Sequence, residues 1–426
     1  MSDNWRENEL SLKEVIAKYP EFPPLIALKI DVDRRGVSYT QAAFDKVDLS
    51  VHQTSKQKIG AGTENEREVD VPMGITYRDG TVSCSTDHQE VTKFTHRDPY
   101  VIDVVDGKLF LFDQGEQLEE ITYWEKPDFW DKKTSNGTPM RKIATARPQR
   151  ITIDVGDLCH FWDKPGNGCK YCSWQANALG NGKTTGCTRT EEFYQDVYET
   201  FKEALKQKGR FSQLHVVSGS VLTGEELFDD EVDHYIKVLQ AANRAVDEAK
   251  YPKFPIKMVA SAFSKKQLER LYKETPQTTY TTDLEVLNEE LFKWICPGKA
   301  EFVTYQGWKK RLFDSVEVFG RGNVTCGLVG GVELAQPNGF KSEDEALEAV
   351  LAEANDIAEH GVTFAEIVWQ TRPGSAFVHQ KVPSLEYYVR LAQGLADARR
   401  KNGLHVYTDD YRRCGNHPNS DLSRID

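Results

Sequence analysis

Three cysteines, Cys159, Cys169 and Cys172, stand in a C-x9-C-x2-C pattern within the segment RITIDVGDLCHFWDKPGNGCKYCSWQ. The segment opens as a strand and then breaks into a loop rich in Gly, Pro, Asn and Asp, which places the three sulfurs just past a strand end. Thiolates are the usual ligands of iron–sulfur clusters, and a four-iron cluster held by three cysteines keeps one iron open to another ligand. The rival chemistry is a structural zinc site made by Cys159, Cys169, Cys172 and Cys187. Two C-x2-C knuckles are the stronger zinc signature and only one is present here, which favours iron.

The elements that must position this loop follow from periodicity. Strands are predicted at Arg150–Val155, Gln213–Ser218, Ile256–Ser261, Thr279–Val286, Asn323–Val332, Thr363–Gln370 and Leu404–Thr408. Between them, apolar residues at three- and four-residue spacing predict helices over Glu191–Lys208, Glu226–Lys250, Lys265–Lys273, Trp308–Phe319, Ser342–His360 and Leu385–Asn402. Such β/α alternation predicts an α/β fold: a parallel sheet with right-handed crossovers, in a full or partial TIM-like barrel. Chemistry in that architecture sits at the carboxyl ends of the strands, where the cysteine loop falls. The first 149 residues read differently, with short segments such as Leu25–Val32 and Lys108–Phe112 between polar, Gly-containing stretches. The expected organisation is an α+β accessory domain over 1–146, the (β/α) barrel over 147–410 and a tail over 411–426.

Composition narrows the function classes. The chain has 426 residues, 39% hydrophobic and 28% charged, as in ordinary globular proteins. Its apolar runs are shorter than the roughly 20 residues of a membrane span, and its start, MSDNWRENEL, lacks a secretory apolar stretch, so a cytoplasmic protein without membrane contact is expected. A net charge of −12 argues against broad nucleic-acid binding. Eight cysteines in so long a chain are read as reduced thiols rather than a disulfide framework.

The cysteine loop resembles that of the radical S-adenosylmethionine (SAM) superfamily, whose members usually carry C-x3-C-x2-C after the first barrel strand with an aromatic residue before the last cysteine. Tyr171 stands before Cys172 here, while the nine-residue first gap departs from the usual three. The resemblance extends over roughly residues 150–410. In VVSGS, Gly219 and Ser220 match the glycine-rich turn that approaches the SAM amino group, where a missing side chain permits close backbone contact. In TTDLEVLN, Glu285 matches the polar position facing SAM's ribose or methionine portion, and Arg311 on the next helix is a candidate partner for its carboxylate. In NVTCGLVGGVE, Gly327, Val329, Gly330 and Glu333 match the pattern that backs the adenine. WQTRPGSAF is similar to a Pro–Gly turn of the biotin-synthase-like branch.

The resemblance implies an oxygen-sensitive enzyme with a 4Fe-4S cluster held by Cys159, Cys169 and Cys172. It implies SAM as second cofactor, cleaved reductively to a 5′-deoxyadenosyl radical that takes hydrogen from an unidentified substrate. A one-electron reductant such as flavodoxin or ferredoxin is the implied partner. Methyl transfer or sulfur insertion with a second cofactor, and a zinc-stabilised binding protein, stand as alternatives. Each supporting position also has an ordinary reading: glycines beside strands make turns, and Arg311 can pair with Glu317 or Asp314. Cys326 reads as a small core residue, Cys187 as the best candidate for a second thiol role, and Tyr407 as a residue facing the barrel interior. No catalytic residue is nominated.

Overall fold

The computed structural model describes residues 5–59, 67–84, 97–156, 158–173, 188–251, 254–275, 279–405 and 417–423. Before residue 130 the strands are β1 (Val37–Tyr39), β2 (Thr54–Ile59), β3 (Arg67–Pro72), β4 (Gly74–Tyr77), β5 (Val82–Cys84), β6 (Tyr100–Val105), β7 (Lys108–Asp113) and β8 (Glu116–Tyr123). Six of them form a sheet in the order β1-β6-β7-β8-β4-β5, while β2 and β3 pair as a separate hairpin. The β6-β7-β8 meander is joined by Asp-Gly and Gln-Gly turns, with Asp106 and Gln114 at positive φ, the geometry that two-residue hairpin loops require.

Leu25–Val32 falls inside a helix, Pro24–Arg35, that starts with Pro at its first turn and ends at Gly36. This helix is buried from Ile26 to Arg35 because both sides are covered. Ile26 and Ile30 join the large core, whereas Leu28 and Val32 join the core beneath the six-stranded sheet. Four of its buried charged side chains are in ion pairs: Lys29 with Asp421 at 2.5 Å, Arg34 with Asp31 and Glu9, and Arg35 with Asp31 and Asp113. Such pairing is what permits so polar a helix to sit in an interior.

The second sheet contains β9 (Ala144–Arg147), β10 (Arg150–Asp154), β11 (Gln213–Val217), β12 (Ile256–Val259), β13 (Thr279–Thr281), β14 (Val324–Gly330) and β15 (Val362–Val368). From β10 to β15 every pairing is parallel and follows chain order; β9 adds an antiparallel edge to β10. The order is linear, so the described strands make an open sheet rather than a closed barrel. Of the seventh expected strand, Leu404 and His405 are not in a strand, and 406–408 lie outside the described residues. β9 was not among the expected strands.

Helices return the chain between strands as the periodicity predicts, over Glu191–Ala204, Asp229–Glu248, Lys265–Glu274, Tyr305–Phe319, Glu343–Glu359 and Leu385–Lys401. Thr190, Ser264, Thr304, Ser342 and Ser384 cap five of them through their hydroxyls. On β10 to β12, Ile151, Ile153, Leu214, Val216, Ile256 and Met258 are buried in the core these helices cover. Two short helices absent from the sequence expectation, Glu289–Ile295 and Pro297–Phe302, follow β13 and bear on the site. No described helix is long and apolar enough to cross a membrane.

Candidate functional site

Past the carboxyl ends of β10 to β13 lies a cleft of about 170 Å³, lined by Cys159, Cys169, Cys172 and Tyr171 from one loop. Val217 to Ser220 after β11, Val259 to Ser261 after β12, and Asp283 and Glu285 after β13 form the opposite side. Parallel strands bring their carboxyl ends to one edge, so four loops distant in sequence converge there.

The cysteine loop is braced along its length. His160 N–H donates to Ser220 O at 2.8 Å, and Leu222 N–H donates back to His160 Nδ1 at 3.2 Å. Lys170 N–H donates to Ile295 O at 2.9 Å, and Gly298 N–H donates to Asn167 O at 2.9 Å. Phe161 is buried against Phe302 with ring centroids 6.1 Å apart, and Asn167 donates to Glu301. The residues that widen the first cysteine gap are therefore spent in docking onto the short Pro297–Phe302 helix. Gly298 is required at that contact: a Cβ would lie 2.7 Å from Asn167 O and 2.9 Å from the Phe161 side chain.

The same docking supplies two groups that the sequence reading had not assigned. Cys296, at the end of the Glu289–Ile295 helix, is fully buried beside Cys169. Lys299 reaches the cleft from the next turn, donating to Glu285 Oε1 at 2.8 Å and Asp283 O at 2.6 Å, with its ammonium 4.5 Å from the Trp308 ring centroid. Tyr171 lines the cleft together with Cys169 and Glu285.

Electrostatics differ among the sulfurs. Burial pushes the Cys159 thiol up to about 11, with Cys169 adding to the rise, although the Ser220 and Phe161 N–H groups face its sulfur and oppose it. Neighbouring Cys296 and Lys299 hold Cys169 below the ordinary thiol range, while burial drives Cys296 well up. Burial also raises the Glu285 carboxyl, against the pull of Lys299. Glu285 has φ of 69°, in the left-handed region, and its backbone bridges Gly327 O and Val329 N, both at 2.9 Å. A non-glycine residue in that region is held there by its surroundings, which fixes where its carboxylate points.

Glu231 orders the opposite rim. Its carboxylate, buried in the Asp229–Glu248 helix, accepts from Val221 N–H at 2.8 Å, Ser261 N–H at 3.0 Å and Ser261 Oγ at 2.8 Å. One side chain thereby ties the turns after β11 and β12 together.

The donor set fits an iron–sulfur cluster. Cys159, Cys169 and Cys172 are thiols, not disulfides, and share one cleft wall. No group of three or more His, Cys, Asp or Glu side chains converges as a single-ion site among the described residues. A cube of four irons takes each thiolate at its own corner and does not need its ligands to meet at a point.

No protein-family model matches the chain. It is similar to the bacteriochlorophyllide c C-7(1)-hydroxylase of Chlorobaculum limnaeum, 23% identical over 321 residues, 72% of this chain and 75% of that protein. Among solved structures, it aligns with HydG, a maturase of the FeFe-hydrogenase, at 14% identity and a TM-score of 0.40, covering 61% of this chain and about half (52%) of HydG. A radical SAM methyltransferase from Sphaerobacter thermophilus aligns at 15% identity and a TM-score of 0.41, over 77% of this chain and 84% of that one. OxsB, a cobalamin-dependent S-adenosylmethionine radical enzyme, aligns at 12% and 0.30, over 74% and 46%.

Of the residues singled out in the sequence, the fold gathers Cys159, Cys169, Cys172, Tyr171, Gly219, Ser220 and Glu285 into the cleft. Others stand outside its lining. Gly327 backs it, since any side chain there would collide with Asp283. Arg311 instead donates to Ala262 O at 2.8 Å, on the outer side of the β12 turn. Glu333 is buried beyond β14, accepting from Gly331 N–H and from the Tyr387 hydroxyl, and Gly330 packs against Leu391. Val329 is also buried away from the lining, while Cys326 is a core thiol as expected. Cys187 and Tyr407 lie outside the described residues.

Proposed function

We propose that this chain is a radical SAM enzyme. Its cofactors are a 4Fe-4S cluster and S-adenosyl-L-methionine, and one observation carries the reading: the three cysteines of the C-x9-C-x2-C loop share one wall of a cleft at the carboxyl ends of parallel strands. Cys159, Cys169 and Cys172 hold the cluster, and Gly219, Ser220, Ser261, Asp283, Glu285 and Lys299 bound the space beside it where SAM fits. When bound, the two cofactors supply a 5′-deoxyadenosyl radical able to take hydrogen from carbon. The chain's residues hold, orient and shield. Lys299 balances Glu285 within the wall, Glu231 fixes the facing turns, and Phe161 and Trp162 help to exclude water.

In this reading residues 147–410 carry the chemistry as a partial barrel, 1–146 form an accessory domain and 411–426 a tail. The electron donor is a one-electron reductant such as flavodoxin or ferredoxin, in the cytoplasm. Similarity to a hydroxylase accords with an enzyme that breaks a C–H bond. Anaerobic reconstitution is expected to give about four irons with acid-labile sulfide per chain, and dithionite with SAM to give 5′-deoxyadenosine. Cys169→Ala is expected to lose both. One zinc without sulfide, or a normal 5′-deoxyadenosine yield from Cys169→Ala, overturns the assignment.

A further inference from the structure

Cys296 holds no iron in the proposed function, yet it faces a thiol that does. Two backbone hydrogen bonds join the cysteine loop to the helix junction: Lys170 N–H donates to Ile295 O and Gly298 N–H donates to Asn167 O, both at 2.9 Å. The higher-numbered residue of one segment meets the lower-numbered residue of the other, so the two segments run in opposite directions. Counting inward from the bond between Lys170 and Ile295, the first residues on the two sides are Cys169 and Cys296. Residues that face each other in antiparallel pairing have Cα atoms roughly 4.5–5.5 Å apart. A disulfide spans Cα separations of roughly 4.4–6.8 Å. Both thiols are free in this structure.

Their surroundings assign them different parts. Cys169 lines the open cleft, with the Lys299 ammonium among the other lining groups. Cys296 is fully buried beside it and takes no part in the lining. A small oxidant entering the cleft therefore meets Cys169 first, and Cys296 already stands next to the oxidised sulfur. A buried cysteine is ordinarily a small apolar core residue. One held by backbone bonds opposite a cleft thiol has a second chemistry open to it.

We propose that Cys296 is a resolving thiol: in the cluster-free chain a hydroperoxide oxidises Cys169, and Cys296 captures the product as a Cys169–Cys296 disulfide. With hydrogen peroxide, the Cys169 sulfur attacks one peroxide oxygen. An S–O bond forms, the O–O bond breaks, and a sulfenic acid and one water result. The Cys296 sulfur then displaces the hydroxyl, which leaves as water with the Cys296 thiol proton, and the S–S bond forms. The thiol pair gives up two electrons and the peroxide takes them. A dithiol reductant reverses the bridge by exchange and frees Cys169 again. Without a resolving thiol the sulfenic acid proceeds to sulfinic and sulfonic acids, from which the thiolate is not regained by simple thiols. That Cys169 is a cluster ligand rests on the proposed function; the pairing of the two thiols does not.

Peptide mapping of the full chain tests the pairing. Cluster-free protein is treated with hydrogen peroxide, alkylated and cut with trypsin without reduction. Cleavage after Lys170 separates Cys169 from Cys172, and cleavage after Lys293 and Lys299 isolates Cys296, so mass spectrometry reads the partner directly. The peptide ending at Lys170 is expected linked to Trp294–Lys299, with fragmentation assigning the bond to Cys169 rather than Cys159. Cys296→Ser is expected to lose this link and to gain oxygen at Cys169. Iron and sulfide after dithiothreitol and anaerobic reconstitution give a second readout, each protein compared with its own untreated sample. Peroxide-treated wild type is expected to recover most of its iron and Cys296→Ser to lose most of it. No link in wild type, a link from Cys169 to Cys159 or Cys172 instead, or equal iron recovery in both proteins overturns the proposal. The wild-type map decides alone if the variant does not fold. A Cys169–Cys296 link in a chain that never assembles a cluster defeats the proposed function only, and a cluster without that link after peroxide defeats this inference only.

Discussion

The Lys299 ammonium sits 2.8 Å from the Glu285 carboxylate, with the two side chains 9% and 13% exposed, at the point where the Pro297–Phe302 helix meets the end of β13. Removing one member of a buried pair strands the other. Lys299→Met is expected to destabilise the fold by about 3–5 kcal/mol, and the double variant with Glu285→Gln to recover much of that loss. Urea unfolding midpoints of the single and double variants measure it. Equal loss in both would mean that packing against Trp308 dominates.

Gly298→Ala tests whether the short helix shapes the cysteine loop. The added methyl meets Asn167 O and Phe161, and such overpacking costs about 1–3 kcal/mol. Iron bound per chain after anaerobic reconstitution is expected to fall below wild type. Unchanged iron content would show that the loop keeps its form without this contact.

Stability should decline toward alkaline pH for a specific reason. Burial raises the carboxyls of Glu333 and Glu366 from an ordinary 4.5 to about 8. The folded chain keeps these protons over a range where the unfolded chain has lost them. Their contribution is full below about pH 4.5, shrinks as pH rises and is gone above about 8, with a slope of at most about 1.4 kcal/mol per pH unit for each group. Unfolding midpoints measured from pH 5 to 9 should flatten in Glu333→Gln and Glu366→Gln. An unaltered slope in both variants would place the effect elsewhere.

Lys29→Met probes the contact between the Pro24–Arg35 helix and the C-terminal Pro418–Leu422 helix, whose Asp421 is fully buried. The stranded carboxylate is expected to cost about 3–5 kcal/mol. It should also release the terminal helix, so that limited proteolysis trims the tail sooner than in wild type. Identical cleavage kinetics would show that Asn419 and its bonds to Glu366 and Phe364 hold the helix alone.

What the sequence disclosed follows from which signals are local. Apolar spacing located six crossover helices within a few residues, and β-branched runs located β10 to β15, because both patterns are carried by neighbouring residues. The cysteine loop and the turns holding Gly219, Ser220 and Glu285 were legible for the same reason. Cys296, Lys299 and Glu231 were not, since each acts across a contact made only in three dimensions; the I-C-P-G-K turn resembles any helix junction until Ile295 O meets Lys170 N. Arg311 and Glu333 had suitable chemistry and order along the chain, but helix rotation aims Arg311 at a carbonyl, and Glu333 turns under β14 toward Tyr387.

The buried pair between Lys29 and Asp421 joins positions 392 residues apart. At ribosomal rates of about 5–20 residues per second, the earlier member emerges roughly 20–80 s before the later one. Throughout that interval the polar helix that carries Lys29 has no anion to neutralise it, and the face destined for the terminal helix stays uncovered. Sealing of this corner therefore waits until residue 421 has emerged, and nascent chains arrested short of it carry Lys29 without this acidic partner.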